Sequence, residues 1–365
     1  MGKQKKEETP ESLRLKVLQG IQDGFSVQSG VDSGVPGFID TGNLALNWVV
    51  SGSFAGGYPL GRIVEVFGEP STGKSLLLNN GLASAQAAGG YAILDDVERA
   101  YDPHYGEICG IDNALLLYLD NTITITEHLD MIKKIISDDK KSIRSVDKEA
   151  PILVVLDSLA EATIEEEKEK EMAFVDYGRR AKVFKQAFRQ LRSYVSQHKV
   201  AYLMSNHVYS TMAMYGPQKD TPGGRGAKFN ATVRLETKAK QYKYADEKNK
   251  KDGNPLGTYI HIIAQKNRLT APLKSCLIYT DFESGIDRYS GLLPILEFLG
   301  KVKKVLKRTS EEVATGYDFY ELAENADVRF CEATMKDVFE KFPNILSVSD
   351  DISNSGQVES SEENE

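Results

Sequence analysis

Residues 68–75 of this 365-residue chain read Gly68-Glu69-Pro70-Ser71-Thr72-Gly73-Lys74-Ser75, the G-x-x-x-x-G-K-[ST] spacing of a phosphate-binding loop. Glycines let the backbone curl until its N–H groups converge on phosphate oxygens, and a helix N-terminus behind the loop adds its positive dipole end. Lys74 would reach the β- and γ-phosphates, and the Ser75 hydroxyl would hold Mg²⁺. Three further polar side chains close apolar runs. Asp157 ends the run 151–156, as a carboxylate that orients Mg²⁺ through water does. Glu98 follows the strand-like stretch 91–96; it is a candidate base for the water that attacks the γ-phosphate, or an N-capping acid for the next helix. His207 closes the run 201–206 and is a candidate sensor of the γ-phosphate, or a structural histidine. Together these residue types make the chemistry of binding a nucleoside triphosphate with Mg²⁺.

Such groups work only if strands and helices bring them to one edge. The stretch 62–67 alternates like a strand and 75–88 reads as a Leu/Ala-rich helix, closed by Gly89 and Gly90. Residues 115–119 read as a buried strand and 126–136 as a helix. Further strands are expected at 231–236, 257–264 and 275–281, with a solvated hairpin tip at 238–254. Apolar strands ending in acids are what a parallel sheet presents at its carboxyl edge, where ligands bind. In the helix after 179, Phe184, Phe188, Leu191 and Val195 form an apolar stripe. Lys182, Lys185, Arg189 and Arg192 form a separate cationic one, which is either a partner surface or a solvated face. The charged run 161–171 reads as an exposed helix or loop without chemistry. The Gly/Pro-containing stretch 208–226 reads as a long mobile loop, either functional or disordered.

Bulk properties narrow the function. Net charge is −8, yet the last nineteen residues hold six acids and no base, so the rest carries −2. Between residues 179 and 274, twenty lysines and arginines stand against five acids, a net of +15. A basic middle beside an acidic tail points to a polyanionic partner. The three cysteines are far apart and form no C-x-x-C pair, which argues against a zinc site or disulfide framework and suits a reducing cytoplasm. No apolar run reaches membrane-spanning length, and no signal peptide is evident.

These motifs, taken in order, resemble the RecA-type recombinases, and within them the phage-encoded UvsX-like branch. The resemblance rests on Thr41-Gly42-Asn43-Leu44, Gly61-Arg62-Ile63-Val64-Glu65, the phosphate loop and Glu98-Arg99-Ala100-Tyr101-Asp102-Pro103. It continues through Leu156-Asp157-Ser158, Thr221-Pro222-Gly223-Gly224 with Ala227-Lys228-Phe229, and Lys266-Asn267-Arg268-Leu269-Thr270-Ala271-Pro272. It implies Glu98 as the activator of the hydrolytic water, Tyr105 as the aromatic stacked on adenine with Asp102 beside it, and His207 in the position that relays γ-phosphate state. It implies single-stranded DNA on the loop bearing Gly223, Gly224, Arg225 and Lys228. It also implies that Lys266 and Arg268 reach the ATP of a neighbouring subunit. The segment 161–177, at the first DNA loop, is longer and more acidic than the family pattern.

The expected fold is an α/β RecA-like P-loop ATPase core, doubly wound on a mostly parallel sheet. The expected divisions are an N-terminal oligomerisation element with a short helix at 11–21 and a linker (1–40), the core (41–287), an α-rich C-terminal region (288–346) and a disordered acidic tail (347–365). The expected function is an ATP-dependent recombinase that forms helical filaments on single-stranded DNA, pairs it with homologous duplex DNA and works in the cytoplasm, of a bacterium or a phage host. Single-strand-binding and mediator proteins are expected partners. The alternatives are a ring-forming helicase or branch-migration ATPase, and a mediator that binds ATP without hydrolysing it.

Overall fold

The structure, a computed structural model, describes residues 34–138, 140–169, 177–210, 219–244, 255–305 and 318–347, with Lys16 and Thr309. The chain divides into two units, residues 1–36 and 37–365, and all elements below belong to the second. The expected helix at 11–21, apart from Lys16, lies outside the described residues, as do 211–218, residues 245–254 of the hairpin tip expected at 238–254, and the tail from 348 onward.

The strands, in chain order, are β1 (Phe38–Ile39), β2 (Tyr58–Pro59), β3 (Ile63–Gly68), β4 (Tyr91–Asp96), β5 (Leu116–Leu119), β6 (Ile152–Asp157), β7 (Val200–His207) and β8 (Tyr209–Ser210). They continue as β9 (Lys219–Asp220), β10 (Val233–Tyr244), β11 (Pro255–Asn267), β12 (Ser275–Asp281), β13 (Gly285–Ile286), β14 (Val302–Lys304), β15 (Phe319–Leu322) and β16 (Asn325–Cys331). Nine of them form one sheet in the order β13-β12-β11-β10-β3-β7-β6-β4-β5. From β10 to β5 every pair is parallel, and β11, β12 and β13 add antiparallel pairs at the other end. The central strands β3, β6 and β7 are buried almost throughout, which is why they read as continuous apolar runs.

Helices cover both faces, each over its own hydrophobic cluster. On one face, Lys74–Ala87 buries Leu76, Leu77, Leu78 and Leu82. The helix Leu44–Ser51 lies on the same face, and Asn43 explains the Thr41-Gly42-Asn43-Leu44 motif. Its Oδ1 caps that helix at Leu46 N (2.8 Å), and its Nδ2 donates to the carbonyls of Asp287 and Ser290. On the other face lie Ile125–Lys133 and the long helix Tyr177–Gln197. The expected apolar stripe of that long helix is the buried one: Phe184, Phe188, Leu191 and Val195 are at most 1% exposed. Burying each aromatic contributes roughly 1.5–3 kcal/mol.

Four expectations change. Strand β5 is an edge strand, with Leu117 and Tyr118 about two-fifths exposed. The C-terminal region is mixed rather than α-rich. Helices Leu292–Phe298 and Met335–Lys341 flank a three-stranded antiparallel sheet, β14-β15-β16, and Phe330 and Phe339 join the core cluster. The stretch 208–226 is largely ordered where described, as the ribbon β8-β9 and the start of a helix, Gly224–Asn230. The hairpin tip expected from 238 starts later, since 238–244 continue β10. The acidic run is helical at Glu165–Glu169, as one of the expected alternatives had it, and is ion-paired on two sides, through Lys168 to Glu127 and through Glu166 and Glu167 to Arg179 and Arg180.

Candidate active site

The phosphate loop leaves β3 at Gly68 and enters the helix Lys74–Ala87. Two glycines are required by contact. A Cβ on Gly73 (φ +85) would stand 2.3 Å from Ile260 Cδ1, and one on Gly68 would stand 2.4 Å from the Thr237 carbonyl. Ser71 also takes the left-handed region, at φ +59. Behind the loop, Thr72 Oγ1 donates to the Glu69 carbonyl (2.8 Å) and meets Thr237 Oγ1 at 2.8 Å. Glu69 and Pro70 form the outer arm of the loop and are exposed. Lys74 Nζ donates to the carbonyls of Gly68 (3.2 Å) and Glu69 (2.9 Å), inside the cradle its own loop forms. Burial holds its pKa below the usual lysine value, opposed by Asp157, Glu98 and Glu69.

The strand ends β4, β6 and β7 converge beside this loop. Ser75 Oγ donates to Asp157 Oδ2 at 3.0 Å, and Ser205 Oγ donates to Asp157 Oδ1. Burial is the main cause that raises the Asp157 pKa, with Glu98 and Asp96 adding to it. A hydroxyl and a half-buried carboxylate in contact, beside the phosphate loop, fit Mg²⁺. That ion takes one or two protein oxygens and completes its shell with phosphate and water. Among the described residues no cluster of three or more His, Cys, Asp or Glu could hold a metal by itself. Glu98 is fixed from two directions: its N–H donates to the Asp157 carbonyl (3.2 Å), and its Oε1 meets His207 Nε2 at 2.9 Å. The suggested base and the suggested sensor are thus bonded to each other.

The remaining site candidates fare differently. Asp102 caps the helix Pro103–Ile108, accepting from Tyr105 N at 3.0 Å. Tyr105 is half-buried against the core, and burial pushes its phenol up to about 12. Gly223 is the left-handed N-cap (φ 84) of Gly224–Asn230, so Gly224, Arg225 and Lys228 belong to a helix rather than a loop. Lys228 is ion-paired with Asp220. A Cβ on Gly226 would stand 3.1 Å from Lys185 Cα, so this helix lies directly on the long helix bearing the cationic stripe. There Lys182, Lys185, Arg189 and Arg192 are all exposed, with no acidic partner among the described residues.

Lys266 and Arg268 lie apart from their own phosphate loop. Lys266 pairs across β11-β10 with Arg234, which pairs with Glu65, three residues before Gly68. That puts Lys266 two strands across, about 10 Å, and about 10 Å back along the strand direction. Its Nζ donates to the carbonyls of Lys228 (2.7 Å) and Phe229 (3.2 Å), whereas Arg268 is exposed. Burial, then Arg268 and Arg234, lower the Lys266 pKa to about 8.

Two features escape sequence reasoning. The fully buried Glu65 accepts from Asn206 Nδ2 (2.9 Å) and from Arg234 Nε. The same Asn206 Nδ2 donates to the Pro222 carbonyl (3.0 Å), and its Oδ1 accepts from His207 N (3.0 Å). One amide therefore joins His207 to the turn that starts the Gly224 helix. Asp96 is the second, with its partners on β5 and in the turn after Glu98. An acid inside a buried strand is the sole local signal for Glu65, and its partners are far away in sequence.

A parallel sheet with this loop and the carboxylates Asp157 and Glu98 at its carboxyl edge defines a P-loop ATPase with a RecA-like core. The model of the RecA N-terminal domain matches residues 30–287. "Protein RecA" of Lactobacillus acidophilus is 31% identical over 80% of this chain and 76% of its own length. Those of Thermotoga sp. strain RQ2 and Thermotoga maritima are each 32% identical over 77% of the chain and 76% of their own. The chain belongs to the RecA family. It is a DNA-dependent ATPase of the recombinase type, acting in recombination and repair.

Proposed function

We infer that the protein assembles head to tail on single-stranded DNA in an ATP-dependent way, and that the filament pairs the strand with a homologous duplex. The observation carrying this reading is the separation of Lys266 and Arg268 from the phosphate loop of the same chain, while Glu98, His207, Lys74 and Asp157 converge there. In this reading a neighbour adds its Lys266 and Arg268 to the Lys74 already present, and head-to-tail contacts that do not close give filaments.

In this reading Lys74 leaves the carbonyls of Gly68 and Glu69 for the β- and γ-phosphates, where its charge binds the ground-state nucleotide. Ser75 and Asp157 hold Mg²⁺, which when bound neutralises phosphate charge. Glu98 takes the proton of the attacking water. His207 holds Glu98 in the nucleotide-free chain, so a γ-phosphate that competes for His207 releases the base and moves Asn206 and Pro222 with it. Tyr105 provides the adenine face, and Asp102 orients it by capping its helix. The neighbour's Lys266 and Arg268 stabilise charge on the transferring phosphoryl group. Lys182, Lys185, Arg189 and Arg192, with Gly223, Gly224, Arg225 and Lys228 on the adjoining helix, follow a DNA backbone without reading sequence. Residues 1–40 serve oligomerisation, and the protein works in the cytoplasm. Among the described residues no helix is long and apolar enough to cross a membrane.

Electron microscopy with ATP and single-stranded DNA tests the assembly. Helical filaments that are lost in Lys74→Ala are expected. Closed rings, or particles indifferent to Lys74, would refute the filament reading and favour a ring motor.

A further inference from the structure

Strand β4 ends on two adjacent acids, and neighbouring side chains on a strand face opposite ways. Asp95 points into the core, where it meets His128 Nδ1 at 2.6 Å and accepts from Thr122. Asp96 points the other way. It is 2% exposed and has no cationic partner among the described residues. Its carboxylate instead gathers N–H and O–H donors. Oδ1 accepts from Ala100 N (3.2 Å), and Oδ2 accepts from Tyr101 N (2.8 Å) and from the Tyr118 phenol (3.0 Å).

Asp96 and two of its donors, Ala100 and Tyr101, bracket Glu98 in the chain. Its own N–H is held by the Asp157 carbonyl, and the next residue, Arg99, donates to the Asp96 carbonyl (3.2 Å) in the left-handed region at φ +56. A non-glycine residue persists there only where its surroundings over-determine the turn. The Asp96 carboxylate is that surrounding on the C-terminal side. Tyr118 braces it from the edge strand β5, with its ring 5.7 Å from that of Tyr101. Burial and the Asp96 contact push the Tyr118 phenol up to about 12, so it stays a donor at working pH.

We propose that Asp96, braced by Tyr118, is a positioning residue for ATP hydrolysis: it fixes the turn that aims Glu98 at the attacking water. This rests on the reading of Glu98 as the base. An asparagine at 96 keeps the shape, but its Nδ2 would face N–H or O–H donors, so the turn would loosen. A displacement of the base by about 1 Å can cost on the order of 10²-fold in rate.

The test is a pair of double-variant cycles on the full chain with single-stranded DNA: Asp96→Asn with Glu98→Gln, and Tyr118→Phe with Glu98→Gln. Steady-state ATP turnover, affinity for a non-hydrolysable ATP analogue and thermal midpoint are measured for each. Asp96→Asn is expected to lower kcat by about 10- to 100-fold, and Tyr118→Phe by roughly 2- to 10-fold, the size of one hydrogen bond. In the Glu98→Gln background neither is expected to lower kcat further, because there is no base left to aim. Analogue affinity is expected to hold. Multiplicative losses in the double variants would overturn the proposal by assigning Asp96 a general structural role. A Tyr118→Phe protein at the parental kcat would overturn the brace, and this arm decides the matter should Asp96→Asn prove unstable. Parental turnover in Glu98→Gln alone would instead remove the base reading, and the proposal with it.

Discussion

Replacing Glu65 by Gln removes the counter-charge at the centre of the β3-β7-β10 junction. The carboxylate is fully buried and holds Arg234, whose side chain is 15% exposed. Breaking a buried pair from one side costs about 3–5 kcal/mol, since the remaining charge stays buried without a partner. Arg234 keeps two consolations: its guanidinium lies 4.4 Å over the Phe67 ring, and Nη2 reaches Thr221 Oγ1 at 3.4 Å. The lower end, about 3 kcal/mol, is therefore expected. At about 1.5–2 °C per kcal/mol for a unit of this size, the thermal midpoint should fall by about 4–6 °C. Glu236→Gln is the control, because the Lys238–Glu236 pair (3.3 Å), exposed on its lysine side, belongs to a class worth at most about 1 kcal/mol. Thermal melts of both variants without nucleotide decide the matter. A Glu65→Gln shift no larger than that of Glu236→Gln would refute the reasoning, because the junction would then tolerate an unpaired arginine.

Mixing a variant lacking Lys266 and Arg268 with Lys74→Ala should restore DNA-dependent ATPase, each mixed junction joining an intact loop to intact cations; no recovery at any ratio would exclude action in trans. Lys266, with its pKa lowered to about 8, is a cation below that pH and neutral above it. DNA-dependent kcat/KM should thus fall as pH rises through about 8, while Lys266→Arg, whose guanidinium stays charged, should keep a flatter profile; superimposable profiles would contradict this. Glu166→Gln with Glu167→Gln should tighten single-strand binding at low salt by freeing Arg179 and Arg180 from their acidic partners, with the difference shrinking as salt is added. A salt titration of binding checks it, and unchanged low-salt affinity would count against the idea.

The phosphate loop was legible because its constraints are local: Gly68 and Gly73 sit where a Cβ would strike Thr237 and Ile260. Asp157, Glu98 and His207 were legible because buried parallel strands show as apolar runs, and what ends them lies at one edge. The C-terminal sheet was hidden because β14 and β15 are short, the first five residues of β16 are exposed or half-buried and carry no apolar run, and the Leu292–Phe298 pattern beside them is helical. Strand β5 reads as buried from its leucines, and only the strand order makes it an edge. Lys228 reads as a free cation, and the ion pair with Asp220 appears once the β8-β9 ribbon folds back. The Glu65 and Asp96 networks were illegible for a common reason. Their partners, Asn206, Arg234 and Tyr118, come together through sheet order and turn geometry rather than through spacing in the chain.

The most direct measurement is strand exchange between a circular single strand and a linear duplex, with ATP and Mg²⁺, scored by the joint molecules formed. A homologous duplex should give joint molecules with the parent protein and none with Lys74→Ala, and a heterologous duplex should give none with either. Joint molecules formed equally with Lys74→Ala, or no exchange by a parent protein that hydrolyses ATP on single-stranded DNA, would contradict the assignment as an ATP-dependent recombinase.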